Sequence, residues 1–172
     1  MELLIPGLLL VALMVYASTR IKKSAARAFE EETIDTDYFS LIKPEGFLHL
    51  INGDAAFAFQ AYSKEFGKDD AENLRQAIID VSIVTDKTFD ALCDDAKSGA
   101  ESVIERPDEI SDMKARSIEV EREIGGCEMV IRYLIVDTPG RVFQLQTNVL
   151  KEYINDYFRK INEMEDSLRI KK

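Results

Sequence analysis

One stretch limits the possible folds more than any other. Ile118, Val120 and Ile124 alternate with Glu119, Glu121 and Glu123, then Gly125-Gly126 follows, then the apolar run Cys127–Val136. A period of two is the signature of a strand with one buried face. Gly-Gly supplies the positive φ angles that a two-residue hairpin turn requires. A second turn, Asp137-Thr138-Pro139-Gly140, leads into Arg141–Thr147, so three strands in succession form an antiparallel meander. A meander with one apolar face needs a cover. The next segment offers one: a helix predicted over Val149–Ser167 places Leu150, Tyr153, Ile154, Tyr157, Phe158, Ile161 and Met164 on a single stripe. That stripe is expected to lie across the meander.

Upstream, Tyr38–Ile42 and Phe47–Ile51 read as strands around the turn Pro44-Glu45-Gly46. After Asn52-Gly53-Asp54, Ala55–Ser63 is assigned as strand on the alternation of Phe57, Phe59 and Ala61, although its alanines also permit helix. Lys64–Asn73 reads as a loop. Ala77, Ile79, Val81 and Ile83 recur at period two against Gln76, Asp80 and Ser82, which predicts another half-buried strand. Thr85-Asp86 is expected to cap a helix over Lys87–Ser98, with Phe89, Leu92, Cys93 and Ala96 as its apolar stripe and Gly99 as its stop. Ala100–Met113, charged and containing Pro107, is predicted to be a long loop. Strands, helix, strands, helix is the α+β class, with helices packed on an antiparallel sheet.

The first residues obey a different rule. From Leu3 through Thr19 no charge occurs, and Leu8, Leu9, Leu10, Leu13, Val15 and Tyr16 are the expected membrane-facing residues of one N-terminal transmembrane helix. At about 1.5 Å per residue the segment spans roughly 25 Å, the short end of what a bilayer needs. Arg20, Lys22, Lys23 and Arg27 follow as headgroup contacts. By the positive-inside rule they retain the C-terminal domain in the cytoplasm and send the N-terminus across. The rival reading is an exporting signal, cleaved or not, which places the domain in a periplasm or lumen. The expected division is an anchor with its basic flank over 1–23, a connector over 24–37 and one domain over 38–172.

The formal net charge of −10 argues against nucleic acid as a partner, since phosphate neutralisation needs a basic stripe. Chemistry-bearing residues are sparse. His49 is the single histidine and sits inside a strand pattern, and neither a P-loop nor GxGxxG occurs. Cys93 and Cys127 fit buried apolar positions better than a metal or disulfide pair. Asp69-Asp70, Asp94-Asp95 and Glu30-Glu31-Glu32 read as solvated surface, and Met129, Tyr133 and Phe143 as core. No catalytic, cofactor or metal site is expected. Glu119, Glu121 and Glu123 share one face of a strand and cannot be buried unpaired. Either they face water or they meet basic groups on a partner, with Arg132 placed to neutralise part of the row from across the hairpin.

The succession FSLIKPEGF, AIIDVSIV, helix, long loop, strand–GG–strand–turn–strand, helix, and the closing Met164–Ile170 resembles the PsbP-like (Mog/PsbP) fold over about residues 38–170. That fold serves an extrinsic photosystem II subunit, a Ran-binding nuclear import factor and assorted bacterial envelope proteins. The resemblance implies a non-enzymatic accessory or assembly subunit that binds or stabilises a larger integral membrane protein complex. The alternative is an exported envelope domain that binds a small ligand or acts in stress response. This chain departs from many members in lacking a lipidated cysteine.

Overall fold

The computed structural model describes residues 11, 13–20, 26–51, 53–54 and 56–171. In chain order its elements are strands Glu32–Asp35 (β1), Phe39–Lys43 (β2), Phe47–His49 (β3), Phe59–Ser63 (β4) and Ala77–Val84 (β5), then helix Phe89–Lys97 (α1). Strands Ser102–Ile110 (β6), Met113–Ile124 (β7), Cys127–Thr138 (β8) and Arg141–Leu150 (β9) follow, then helix Ile154–Ser167 (α2) and the short strand Arg169–Ile170 (β10).

The expected meander forms the middle of a seven-stranded antiparallel sheet in the order β3-β4-β5-β9-β8-β7-β6. Gly125 and Gly126 hold φ of 62° and 83°, the left-handed pair that a tight hairpin demands. Register then follows from the turn: Ile124 faces Cys127, Val120 faces Ile131, Ile118 faces Tyr133 and Glu119 faces Arg132. A second, three-stranded sheet in the order β1-β2-β10 packs with α2 over one face of the large sheet. Phe39, Leu41, Ile79, Leu134, Leu145, Ile161 and Met164 fill that interface. On the opposite face α1 brings Phe89, Leu92, Cys93 and Ala96 onto Ile118, Val120, Ile131, Tyr133 and Ile135. β8 is therefore buried on both sides over much of its length, which is why its sequence runs apolar instead of alternating.

Several expectations need correction. The charged segment Ala100–Met113 is not a loop: residues 102–110 form β6, paired to β7 over their whole length. Nearly all of β6 is exposed, so its sequence carries no buried period, and Pro107 sits where only an edge strand tolerates it. The hairpin turn joining β6 to β7 uses Ser111 and Asp112 at φ of 53° and 61°, without glycine to announce it. The connector over 24–37 contains β1, which pairs with β2. The strand expected over Ala55–Ser63 begins only at Phe59, and that over Phe47–Ile51 ends at His49. Thr88, not Thr85-Asp86, caps α1, accepting a hydrogen bond from the Ala91 amide. β9 continues to Leu150, and a 3₁₀ turn over Lys151–Tyr153 precedes α2, so Leu150 and Tyr153 belong to no helical stripe. The buried face of α2 is Tyr157, Ile161 and Met164, and it rests on β2 and β9, while Phe158 is half exposed.

Candidate functional site

Where the chain enters the domain, a lysine does the fastening. Residues 13–20 are helical, and Leu13, Val15 and Tyr16 are 70%, 60% and 65% exposed. Arg20 is helical and exposed, Arg27 is exposed, and Leu8, Leu9, Leu10, Lys22 and Lys23 lie outside the described residues. No helix among the described residues is long and apolar enough to cross a membrane. From Ala28 onward the backbone is held on the domain. Gly46 donates its amide to the Phe29 carbonyl at 2.7 Å. Lys43, at the end of β2 and fully buried, donates from Nζ to the carbonyls of Glu30 (2.6 Å), Phe47 (2.7 Å) and Ala28 (3.4 Å). Its ammonium thereby spends all three donors on backbone oxygens. Burial holds the Lys43 pKa below the ordinary lysine range, and the Glu32 carboxylate 3.9 Å away offsets part of that.

The glutamate row lies on the α2 side of the sheet and is largely paired within the chain. Arg132 sits opposite Glu119, with Nε 3.5 Å from its carboxylate. The same guanidinium reaches α2, giving Nη2 to Glu165 at 2.9 Å and Nη1 to Asn162 Oδ1 at 2.7 Å. Its centre lies 5.6 Å from the Phe158 ring, a cation–π contact. One cation is thus shared by two carboxylates. Burial, followed by Asp166, Asp108 and Glu119, outweighs the attraction of Arg132 and pushes the Glu165 pKa up to about 7. Glu121 pairs with Lys151 at 2.9 Å, and Lys151 also meets Glu128 at 3.3 Å. Glu123 is exposed and faces Glu128 across the hairpin.

The remaining reactive residues have ordinary surroundings. His49 Nδ1 is 3.8 Å from Glu32, and its ring packs 4.9 Å from that of Phe59. Cys93 and Cys127 are free and buried, and burial pushes the Cys93 thiol up, away from nucleophilic thiolate. Asp94 and Asp95 form surface ion pairs with Lys97 and Lys87. Among the described residues no group of three or more His, Cys, Asp or Glu side chains is arranged to hold a metal ion. A cavity of about 430 Å³ is lined by Lys68, Asp69, Asp70, Cys127, Glu128 and Lys151, charges of both signs with no single chemistry.

Sequence reasoning singled out neither Lys43 nor Glu165. Lys43 ends an apolar strand that an exposed lysine would end equally well. For Glu165 a weak signal existed: it lies four residues after Ile161 and next to Met164, at the margin of the helix's apolar stripe.

The fold is found in solved structures of low sequence identity. LpqN, involved in cell envelope biogenesis of Mycobacterium tuberculosis, superposes with a TM-score of 0.59 at 13% identity, covering 83% of this chain and 91% of LpqN. CyanoP, the PsbP of the cyanobacterium Synechocystis sp. PCC 6803, gives 0.51 at 8% identity over 83% of this chain and 92% of its own. The Saccharomyces cerevisiae Ran-binding protein Mog1p gives 0.51 at 12% identity over 83% and 96%. A protein of Bacteroides thetaiotaomicron VPI-5482 gives 0.54 at 12% identity and covers 84% of this chain, which spans about half (49%) of that longer protein. No family profile and no curated protein matches the sequence.

Proposed function

Starting from the PsbP/Mog1 fold, we propose that this chain is a non-enzymatic accessory module, held at a membrane by its N-terminal helix, that binds or steadies an integral membrane protein complex. One observation carries the proposal. Leu13, Met14, Val15 and Tyr16 present exposed apolar side chains on a helix, while the backbone that follows is fastened to the domain at Lys43. A run of exposed apolar residues of this kind calls for lipid or a partner. Counted with the uncharged sequence that precedes it, the apolar stretch has the length of a short bilayer span. Arg20, Lys22, Lys23 and Arg27 favour a cytoplasmic domain. Of the acidic row, Glu119 and Glu121 are paired within the chain, and the exposed Glu123 is the member offered to a partner carrying basic groups.

A second reading has the domain exported and standing in a periplasm or lumen. It draws on LpqN, whose role lies in the cell envelope. The two readings differ in the side on which Lys172 ends. A reporter fused after Lys172 that works only in the cytoplasm supports the first, and one that works only outside supports the second.

Fractionation tests the anchor itself. In lysate free of detergent the full-length chain is expected in the high-speed pellet, to resist alkaline carbonate and to be released by detergent. Recovery in the supernatant would overturn the membrane reading. Purification from gently solubilised membranes is expected to bring down a stoichiometric membrane protein; a solitary monomer argues against an accessory role.

A further inference from the structure

We infer that the domain meets the bilayer with the β3 edge of its large sheet, Ile51 and Leu48 seated among the lipid headgroups, and presents the β6 edge away from the membrane. The inference rests on the anchor reading above and adds the orientation of the domain.

Three observations carry it. The first is chain length. Only residues 21–25 separate Arg20 from Ala26, and that much chain spans no more than about 22 Å even when fully extended. The second is the fastening at Lys43. Because the Ala28 and Glu30 carbonyls accept from Lys43 of β2 and the Phe29 carbonyl accepts from Gly46 in the turn before β3, the domain has no slack beyond those residues with which to swing away. The domain surface around Arg27 is therefore the one held closest to the bilayer. The third is what occupies that surface. Arg27 and Ala28 line a shallow cavity together with Leu48 and Ile51. Ile51, at 85%, is the most exposed large apolar side chain among the described residues.

Charge decides the kind of contact. Glu30, Glu31 and Glu32 line the same cavity and outnumber Arg27, so the surface does not select anionic headgroups by attraction. The contact is apolar and shallow, made by Ile51 and Leu48 at the headgroup boundary, and it does not require acidic lipid. The sheet fixes what lies farthest off. β3 is one edge and β6 the other, and six strand spacings of about 4.8 Å separate them by roughly 29 Å. β6, with Val103 and Ile104 exposed at 45% and 49%, is left facing outward, where a partner can reach it.

Depth-dependent quenching tests the orientation in the full chain. The protein is reconstituted in phosphatidylcholine vesicles as Tyr16→Cys, Ile51→Cys or Ile104→Cys, each labelled with a polarity-sensitive fluorophore; Cys93 and Cys127 are buried, and the unsubstituted protein serves as blank. Lipids brominated near the headgroup are expected to quench the probe at 51 several-fold more than that at 104, with a blue-shifted emission at 51. The ratio is expected to persist when a third of the lipid is replaced by phosphatidylglycerol. Equal quenching at 51 and 104 with strong quenching at 16 overturns the orientation and leaves the anchor standing. A 51-to-104 difference that appears only with anionic lipid overturns the apolar contact. No quenching at 16 overturns the anchor reading, and the orientation falls with it.

Discussion

At the scale of single residues, one buried lysine and one partly buried glutamate carry most of the consequences. Glu165 has a folded pKa of about 7 against an ordinary carboxyl value of 4.5. The folded state therefore holds its proton more tightly than the unfolded one. Whatever stability the group contributes is complete below about pH 4.5 and is lost as pH rises to about 7. Glu165→Gln removes that loss. It is expected to leave stability nearly unchanged at about pH 4 and to raise it at pH 8, by at most about 3 kcal/mol, as read from denaturant midpoints at the two pH values. A loss at pH 8 would mean that the Arg132 ion pair outweighs burial. Lys43 works in the other sense, as a donor that three backbone carbonyls depend on. Lys43→Met keeps the apolar stem and strands those oxygens, and it is expected to cost about 2–4 kcal/mol. It should also speed hydrogen exchange at Gly46, whose amide bonds the Phe29 carbonyl. Neither role was legible in the sequence, because most of the groups that define it lie far along the chain: Ala28 and Glu30 are 15 and 13 positions from Lys43, and Arg132 is 33 from Glu165.

At the scale of elements, legibility follows burial. β7, α1 and most of β9 have one face in the core and their periods of two or 3.6 were readable, while β8 is buried on both and was readable as an unbroken apolar run. β6 has no core face, so its charges and proline imitate a loop although all nine of its residues pair with β7. The turn Ser111-Asp112 closes on Ile110 and Met113, which places the hydrogen-bonding groups of Val103, Glu105 and Pro107 on the open edge. Proline there offers no N–H to a passing strand. Pro107→Thr is expected to leave the fold intact and to increase concentration-dependent self-association, measured by sedimentation. Unchanged association would show that the edge is guarded by its charges alone. β1 escaped the sequence for a similar reason: four residues, one of them buried, make no detectable period.

At the scale of the whole molecule, two apolar clusters share one sheet and should unfold together. Ile118 serves the α1 side and Leu145 the α2 side. Ile118→Ala and Leu145→Ala are each expected to cost about 2–5 kcal/mol and to shift a single transition seen equally by near-UV and far-UV circular dichroism. Two separated transitions would show that the layers are independent. The PsbP-like order of elements inferred from the residues is the fold found, because periodicity, glycine turns and helix stops are local properties that a chain writes out one after another. By itself the sequence determined the meander, its register at Gly125-Gly126, the α+β class and the uncharged segment near its start. Only the tertiary structure decided that residues 102–110 are an edge strand, that α2 leans on a second small sheet, and which carbonyls Lys43 holds. These depend on contacts between distant parts of the chain, whose energies appear only once the layers have closed on one another.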